Sequence, residues 1–134
     1  VSVCAPIDRT VADGVMLVGD AARQIDPITG GGIINAGIAG QIAGKVAAKA
    51  VREGDASVEV LQEYEKGWRD VLENKLYRNW IAKEKVCNFS DEMFNKIIDA
   101  IKDIEVAEIS TLELFKAVQS KYPELTKDLE QLMM

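Results

Sequence analysis

The residues best suited to chemistry fall in one run: Leu17-Val18-Gly19-Asp20-Ala21-Ala22, then Asp26-Pro27-Ile28-Thr29-Gly30-Gly31-Gly32-Ile33. An apolar stretch ends on a carboxylate, and three glycines precede small and apolar residues spaced as in a helix. The first amides of a helix lack intrahelical partners and sit at the positive end of its dipole. Gly31, Gly32 and Ile33 can therefore stabilise an anion or an electron-rich oxygen. Asp20, at the C-terminal end of a strand, can only accept hydrogen bonds, and sugar or polyol hydroxyls are its natural partners. One glycine would suffice for a tight crossover. Three in a row cost backbone entropy and expose amides, which favours a ligand-facing role over a bare turn.

Three elements must position this run. Val15-Met16-Leu17-Val18, introduced by Asp13-Gly14 and stopped by Gly19-Asp20, reads as a short strand buried on both faces, the kind found in parallel sheets. Val1 to Pro6 reads as a second strand. Two strands make no independent sheet, so the rest of it is expected elsewhere. From Ile33 to about Glu53 the pattern predicts a helix with Gln41, Lys45 and Lys49 along one polar edge. Those charges argue against a membrane span, and Gly40 and Gly44 are expected to serve close packing on a sheet. Gly54 stops this helix, and Asp55 or Ser57 is placed to cap the next.

The following helix carries Leu61, Tyr64, Trp68, Val71, Leu72, Leu76 and Trp80 at spacings of three and four. That stripe predicts core packing, Trp68 and Trp80 included, rather than a cofactor box. Further on, Ser90 caps a helix with Met93, Phe94, Ile97, Ile98 and Ile101 on its inner face. Ser110-Thr111-Leu112-Glu113 forms a capping box opening a helix that must end near Lys121, because Tyr122 precedes Pro123. Leu125, Leu129 and Leu132 continue at helical spacing.

Composition narrows the function classes. The chain has 134 residues, enough for one compact domain, and its 16 basic against 22 acidic residues disfavour nucleic acid as a partner. Cys4 and Cys87 are far apart and no histidine is present, so no metal site is expected. Each cysteine reads as a small buried hydrophobe, which fits a reducing, cytoplasmic compartment. Without an initiator Met or a signal sequence, the natural protein is expected to begin upstream.

Gly19-Asp20-Ala21-Ala22, Asp26-Pro27, Gly30 to Ile33 and the later Ala36 and Gly40 together resemble the second flavin motif of FAD proteins, most closely that of the geranylgeranyl reductase family, including archaeal lipid reductases. The resemblance covers about residues 1 to 54. Ala39 stands where family members often have Ser. It implies an α/β fragment, mostly α: the last strand or strands of an FAD-binding Rossmann-type sheet, a glycine-rich helix start, and a helical C-terminal region over 55–134. It also implies that Asp20 binds the ribityl chain of FAD while Pro27, Gly30, Gly31, Gly32 and Ile33 lie beside the isoalloxazine ring.

The family saturates isoprenoid double bonds, so the implied substrate is a prenylated lipid, and with it the resemblance implies a cytoplasmic protein in peripheral contact with a membrane surface. The electron donor stays open between NAD(P)H and ferredoxin, and no general acid is assigned. No G-x-G-x-x-G follows a strand here, so the ADP half of the site is expected from an upstream part of the same protein. Alternatives are part of a flavin monooxygenase related to aromatic-ring hydroxylases, or a non-enzymatic helical module.

Overall fold

The structure, a computed structural model, describes residues 1–103 and 111–125, apart from the side chains of 111–115. It divides into two compact units, Val1–Lys83 and Glu84–Met134. The first contains a two-stranded hairpin, β1 (Val11–Ala12) and β2 (Val15–Met16), and then a 3-10 turn over Gly19–Ala22. Helices α1 (Ile33–Glu53) and α2 (Val58–Trp68) follow, with a π-helical turn (Arg69–Glu73) leading into α3 (Asn74–Val86).

The hairpin corrects the strand expectation. Gly14 adopts φ 71°, a left-handed conformation that glycine takes without strain. The chain therefore reverses at Asp13-Gly14, and β2 pairs antiparallel with β1, Val11 opposite Met16 and Ala12 opposite Val15. The Leu17 amide extends the pairing to the Thr10 carbonyl at 2.8 Å. Only one face is covered: Val11 is buried, while Val15 and Leu17 are exposed. Val1 to Pro6 is not a strand. The residues just after it are held by side chains instead of a ladder. Arg69 Nη2 donates to the carbonyls of Ile7 at 3.0 Å and Asp8 at 2.6 Å, and the Thr10 amide donates to the Glu65 carboxylate at 3.3 Å.

The core lies between α1 and α2. Ala39, Ala43, Val46 and Ala50 repeat at three and four residues on α1 and meet Leu61, Tyr64 and Trp68 of α2. Close approach depends on Gly67, where a Cβ would come within 2.9 Å of Ile42 Cγ2. Gly40 and Gly44 face outward, with nothing within 4 Å of a Cβ at either. Gly54 ends α1 in the left-handed conformation. The cap of α2 is long-range: Ser57 occupies the cap position without a side-chain cap bond, and the Val58 amide donates to Asp13 Oδ1 at 2.8 Å. The hairpin turn is thereby tied to the start of α2, an arrangement strengthened by Gly14 N–H donating to the Ala56 carbonyl at 2.7 Å.

Trp68 is fully buried, its indole N–H donating to Thr10 Oγ1 at 2.9 Å, whereas Trp80 is half-buried and Val71 exposed. Tyr64, Trp68, Leu72 and Leu76 are four residues apart, and such steps overshoot an α-helix of about 3.6 residues per turn. The wider π turn absorbs the excess and keeps Leu72 and Leu76 inward while Val71 turns out.

In the second unit, the Ser90 hydroxyl accepts from the Met93 amide at 3.2 Å at the start of α4 (Asp91–Ile101), as the capping pattern predicts. α5 spans Thr111–Lys121 and ends where the proline requires. Met93 and Ile97 pack with Val118 and Leu125, but Phe94 and Ile98 are exposed, because the apolar stripe of α4 is broader than the face that is covered. Ser110, Leu129 and Leu132 lie outside the described residues. Both cysteines are exposed, against expectation: Cys4 sits in the irregular opening segment and Cys87 just past α3, where no core is available to cover them. No described helix is long and apolar enough to cross a membrane.

Candidate functional site

Asp20 lies on the 3-10 turn that follows the hairpin, and a buried polar bridge holds that turn. Gln24 Oε1 accepts from the Gly19 amide at 2.7 Å, and Gln24 Nε2 donates to the Tyr64 hydroxyl at 3.0 Å. That hydroxyl in turn donates to the Leu17 carbonyl at 2.6 Å. Burial pushes the Tyr64 phenol up against the opposing effect of its Gln24 bond, so the hydroxyl remains a donor. Arg23 closes the turn in the left-handed conformation, its amide reaching the Asp20 carbonyl at 3.0 Å.

Asp26 organises the glycine segment. Its Oδ1 accepts from the amides of Ile28 at 2.9 Å and Thr29 at 3.3 Å, and its Oδ2 from Asn79 Nδ2 at 3.0 Å. The backbone closes the same loop, Gly30 N–H to Asp26 O and Asp26 N–H to Gly31 O, both at 2.9 Å. Gly30 has φ 71°, a conformation that costs other residues about 1–2 kcal/mol. The Gly31 amide is occupied by Thr29 Oγ1 at 3.2 Å. The open amides therefore start at Gly32, one residue later than expected, since the first helical bond of α1 is Ala36 N–H to Gly32 O at 2.8 Å.

The structure brings the two halves of the run together. A Cβ at Gly32 would lie 3.0 Å from Asp20 Oδ1 and 3.3 Å from Ile25 Cγ1. The carboxylate thus rests close to the helix start, where a side chain at Gly32 would push it aside. Beside it opens a cleft of about 570 Å³ lined by Gly30, Gly31, Gly32 and Ile33 of the expected set. Asp26, Asn35 and Lys75 join them. Pro27 is buried and does not line the cleft. Sequence reading missed Asn35, Lys75 and Asn79. The spacing of Asp26 and Thr29 could have revealed the side-chain turn, but nothing in the sequence places α3 against the loop. Among the described residues no cluster could hold a metal ion.

The arrangement is a cleft at the start of α1, and Asp20, close to Gly32, is not itself among its lining residues. Known proteins are similar to this chain in sequence and in fold. No protein-family model matches it. Digeranylgeranylglycerophospholipid reductase 2 of Methanococcoides burtonii is 50% identical over 129 residues, which is 96% of this chain and 32% of that protein. The reductase of Picrophilus torridus is 51% identical over 90% of this chain and 30% of its own length. That of Methanothrix thermoacetophila is 46% identical over 100% of this chain and 34% of its own. The crystal structure of a geranylgeranyl bacteriochlorophyll reductase-like protein from Thermoplasma acidophilum is 44% identical and superposes with a TM-score of 0.78, over 98% of this chain and 33% of that one. This mostly helical chain with its two-stranded sheet is thus similar, over nearly its whole length, to one part of digeranylgeranylglycerophospholipid reductases and of a geranylgeranyl reductase-like structure. It spans about a third of the length of the curated relatives it matches.

Proposed function

We propose that this chain is the C-terminal part of an FAD-dependent reductase that saturates geranylgeranyl double bonds of membrane lipids or related prenyl compounds, and that it supplies the ribityl and isoalloxazine side of the flavin site. The observation that carries the reading is the contact of Asp20 with the start of α1 at Gly32, beside a cleft of about 570 Å³. Ligand sites commonly measure about 300–1,000 Å³. The lack of side chains at Gly30, Gly31 and Gly32 leaves room for a flat ring, so the residues present fit the cofactor.

When bound, FAD supplies the reducing equivalents for the double bond. The chain's part is to bind and orient. Asp20 accepts hydrogen bonds from ribityl hydroxyls, and the open amides from Gly32 onward, with the dipole of α1, stabilise negative charge on the ring. Exposed apolar groups match the larger protein this implies. Val15 and Leu17 leave one face of the hairpin uncovered, and Ile33, Ile34 and Val51 do so on α1. In this reading residues 1–54 complete a Rossmann-type FAD domain, and 55–134 form the helical region that follows. The names of the relatives, reductases of digeranylgeranylglycerophospholipid, support the substrate class.

The test is flavin retention, read by visible absorbance, for the whole reductase and for this chain purified alike. Flavin on the whole protein and none on this chain is the expected outcome. A whole protein that stays colourless after addition of FAD would overturn the proposal.

A further inference from the structure

We infer that Asn35 and Lys75 face the ligand in this cleft: the Asn35 amide meets the heteroatom edge of the flavin ring, and the Lys75 ammonium supplies positive charge that favours its reduced form. The inference rests on the flavin reading above and extends it to two residues on different helices.

Asn35 sits in the first turn of α1 and is only 7% exposed. An amide side chain carries two donors and an acceptor, and burying these without partners is unfavourable. Among the described residues the Asn35 side chain has no hydrogen-bond partner, yet no fully enclosed side-chain nitrogen or oxygen is left unpaired. Its polar end must therefore reach open space, and the space it lines is the cleft. A side-by-side donor and acceptor suit a ring edge on which carbonyls alternate with an N–H, as on the pyrimidine part of a flavin.

Lys75 reaches the same cleft from α3 and has no ion-pair or hydrogen-bond partner among the described residues. Asp26, the carboxylate on the cleft wall, already uses both oxygens on Ile28, Thr29 and Asn79. The positive end of α1 adds to Lys75, so the cleft favours a ligand that gains negative charge. Two-electron reduction of a flavin gives the ring such a charge at neutral pH.

The experiment uses the whole reductase with Asn35→Ala, Lys75→Gln and Lys75→Arg, measuring FAD affinity and the two-electron reduction potential of bound flavin. Asn35→Ala should weaken FAD binding about tenfold; Asn35→Ser replaces it if that variant does not fold. Lys75→Gln should keep its flavin but lose about tenfold in preference for the reduced form, a fall of about 30 mV. Lys75→Arg should hold the wild-type potential. A flavin-loaded wild type whose variants match it in both affinity and potential would overturn this inference and leave the flavin reading intact. A raised KM for an anionic lipid in Lys75→Gln, with an unchanged potential, would overturn it in favour of headgroup binding. A wild type that binds no FAD would overturn both.

Discussion

The side chain of Gln24 bridges two segments that meet only in the folded chain, accepting from the Gly19 amide at 2.7 Å and donating to the Tyr64 hydroxyl at 3.0 Å. Gly19 opens the turn that carries Asp20, and Tyr64 belongs to the core of α2. The position of the candidate ligand carboxylate therefore depends on a buried side-chain network. Removing Gln24 would leave the Gly19 amide unpaired in the interior. Gln24→Ala should lower stability by about 1–3 kcal/mol and Tyr64→Phe by about 1–2 kcal/mol. Urea unfolding followed by circular dichroism would measure both, and the double variant should lose less than the sum because the two share one network.

If Asp20 holds the ribityl chain as proposed, Asp20→Ala in the whole protein should weaken FAD binding by roughly 1.5–3 kcal/mol through loss of charge-assisted hydrogen bonds. Gly32→Ala should weaken it too, because the new methyl would displace the Asp20 carboxylate 3.0 Å away. Gly31→Ala should be milder, as its nearest obstacle is the Thr29 hydroxyl at 3.1 Å on an exposed side chain that can rotate. Titration with FAD, read by flavin fluorescence, ranks the three. Equal affinity in all would remove Asp20 from the site.

Gly67→Ala isolates the contact between α1 and α2. Its methyl would meet Ile42 Cγ2 at 2.9 Å, on a β-branched side chain with little freedom to turn aside. Overpacking of this kind costs about 1–3 kcal/mol, more than the roughly 1 kcal/mol that alanine adds to helix propensity. Thermal unfolding should show a lowered midpoint, with partial recovery in Gly67→Ala combined with Ile42→Ala. A raised midpoint in the single variant would mean the helices are spaced more widely.

Acid should weaken the second unit through Asp99. Its carboxylate accepts from Lys121 Nζ at 2.7 Å, the Tyr122 hydroxyl at 2.6 Å and Lys102 Nζ at 2.9 Å. These bonds, that of Lys121 foremost, hold it well below its ordinary 3.8. A carboxyl depressed on folding contributes its full stabilisation above that ordinary value and loses it as pH falls toward the folded one. The Tyr122 phenol is held above its ordinary 10.0, chiefly by Asp99, so its share is lost as pH rises through the raised value. Helical ellipticity followed from pH 7 downward should show wild type losing its advantage over Asp99→Asn below about pH 4. An advantage that persists undiminished through that range would show the ion cluster to be without effect.

Local patterns determined much of this protein unaided. The limits of α1, the Ser90 cap and the proline-limited end of α5 follow from bonds within a few residues, which local residue types dictate; the Asp20 and glycine run is visible as a motif, but the turn that carries Asp20 is held by the Gln24–Tyr64 bridge. The Asp13 cap on α2, the choice of Gly67 over Gly40 and Gly44 for close contact, and the exposure of both cysteines were decided by tertiary structure. So was the meeting of Asn35 and Lys75 at the glycine loop. The Asp13 cap, the Gly67 contact and the meeting of Asn35 with Lys75 each join residues tens of positions apart. Periodicity shows which face of a helix is apolar, but what that face meets depends on how separate elements fill space against one another.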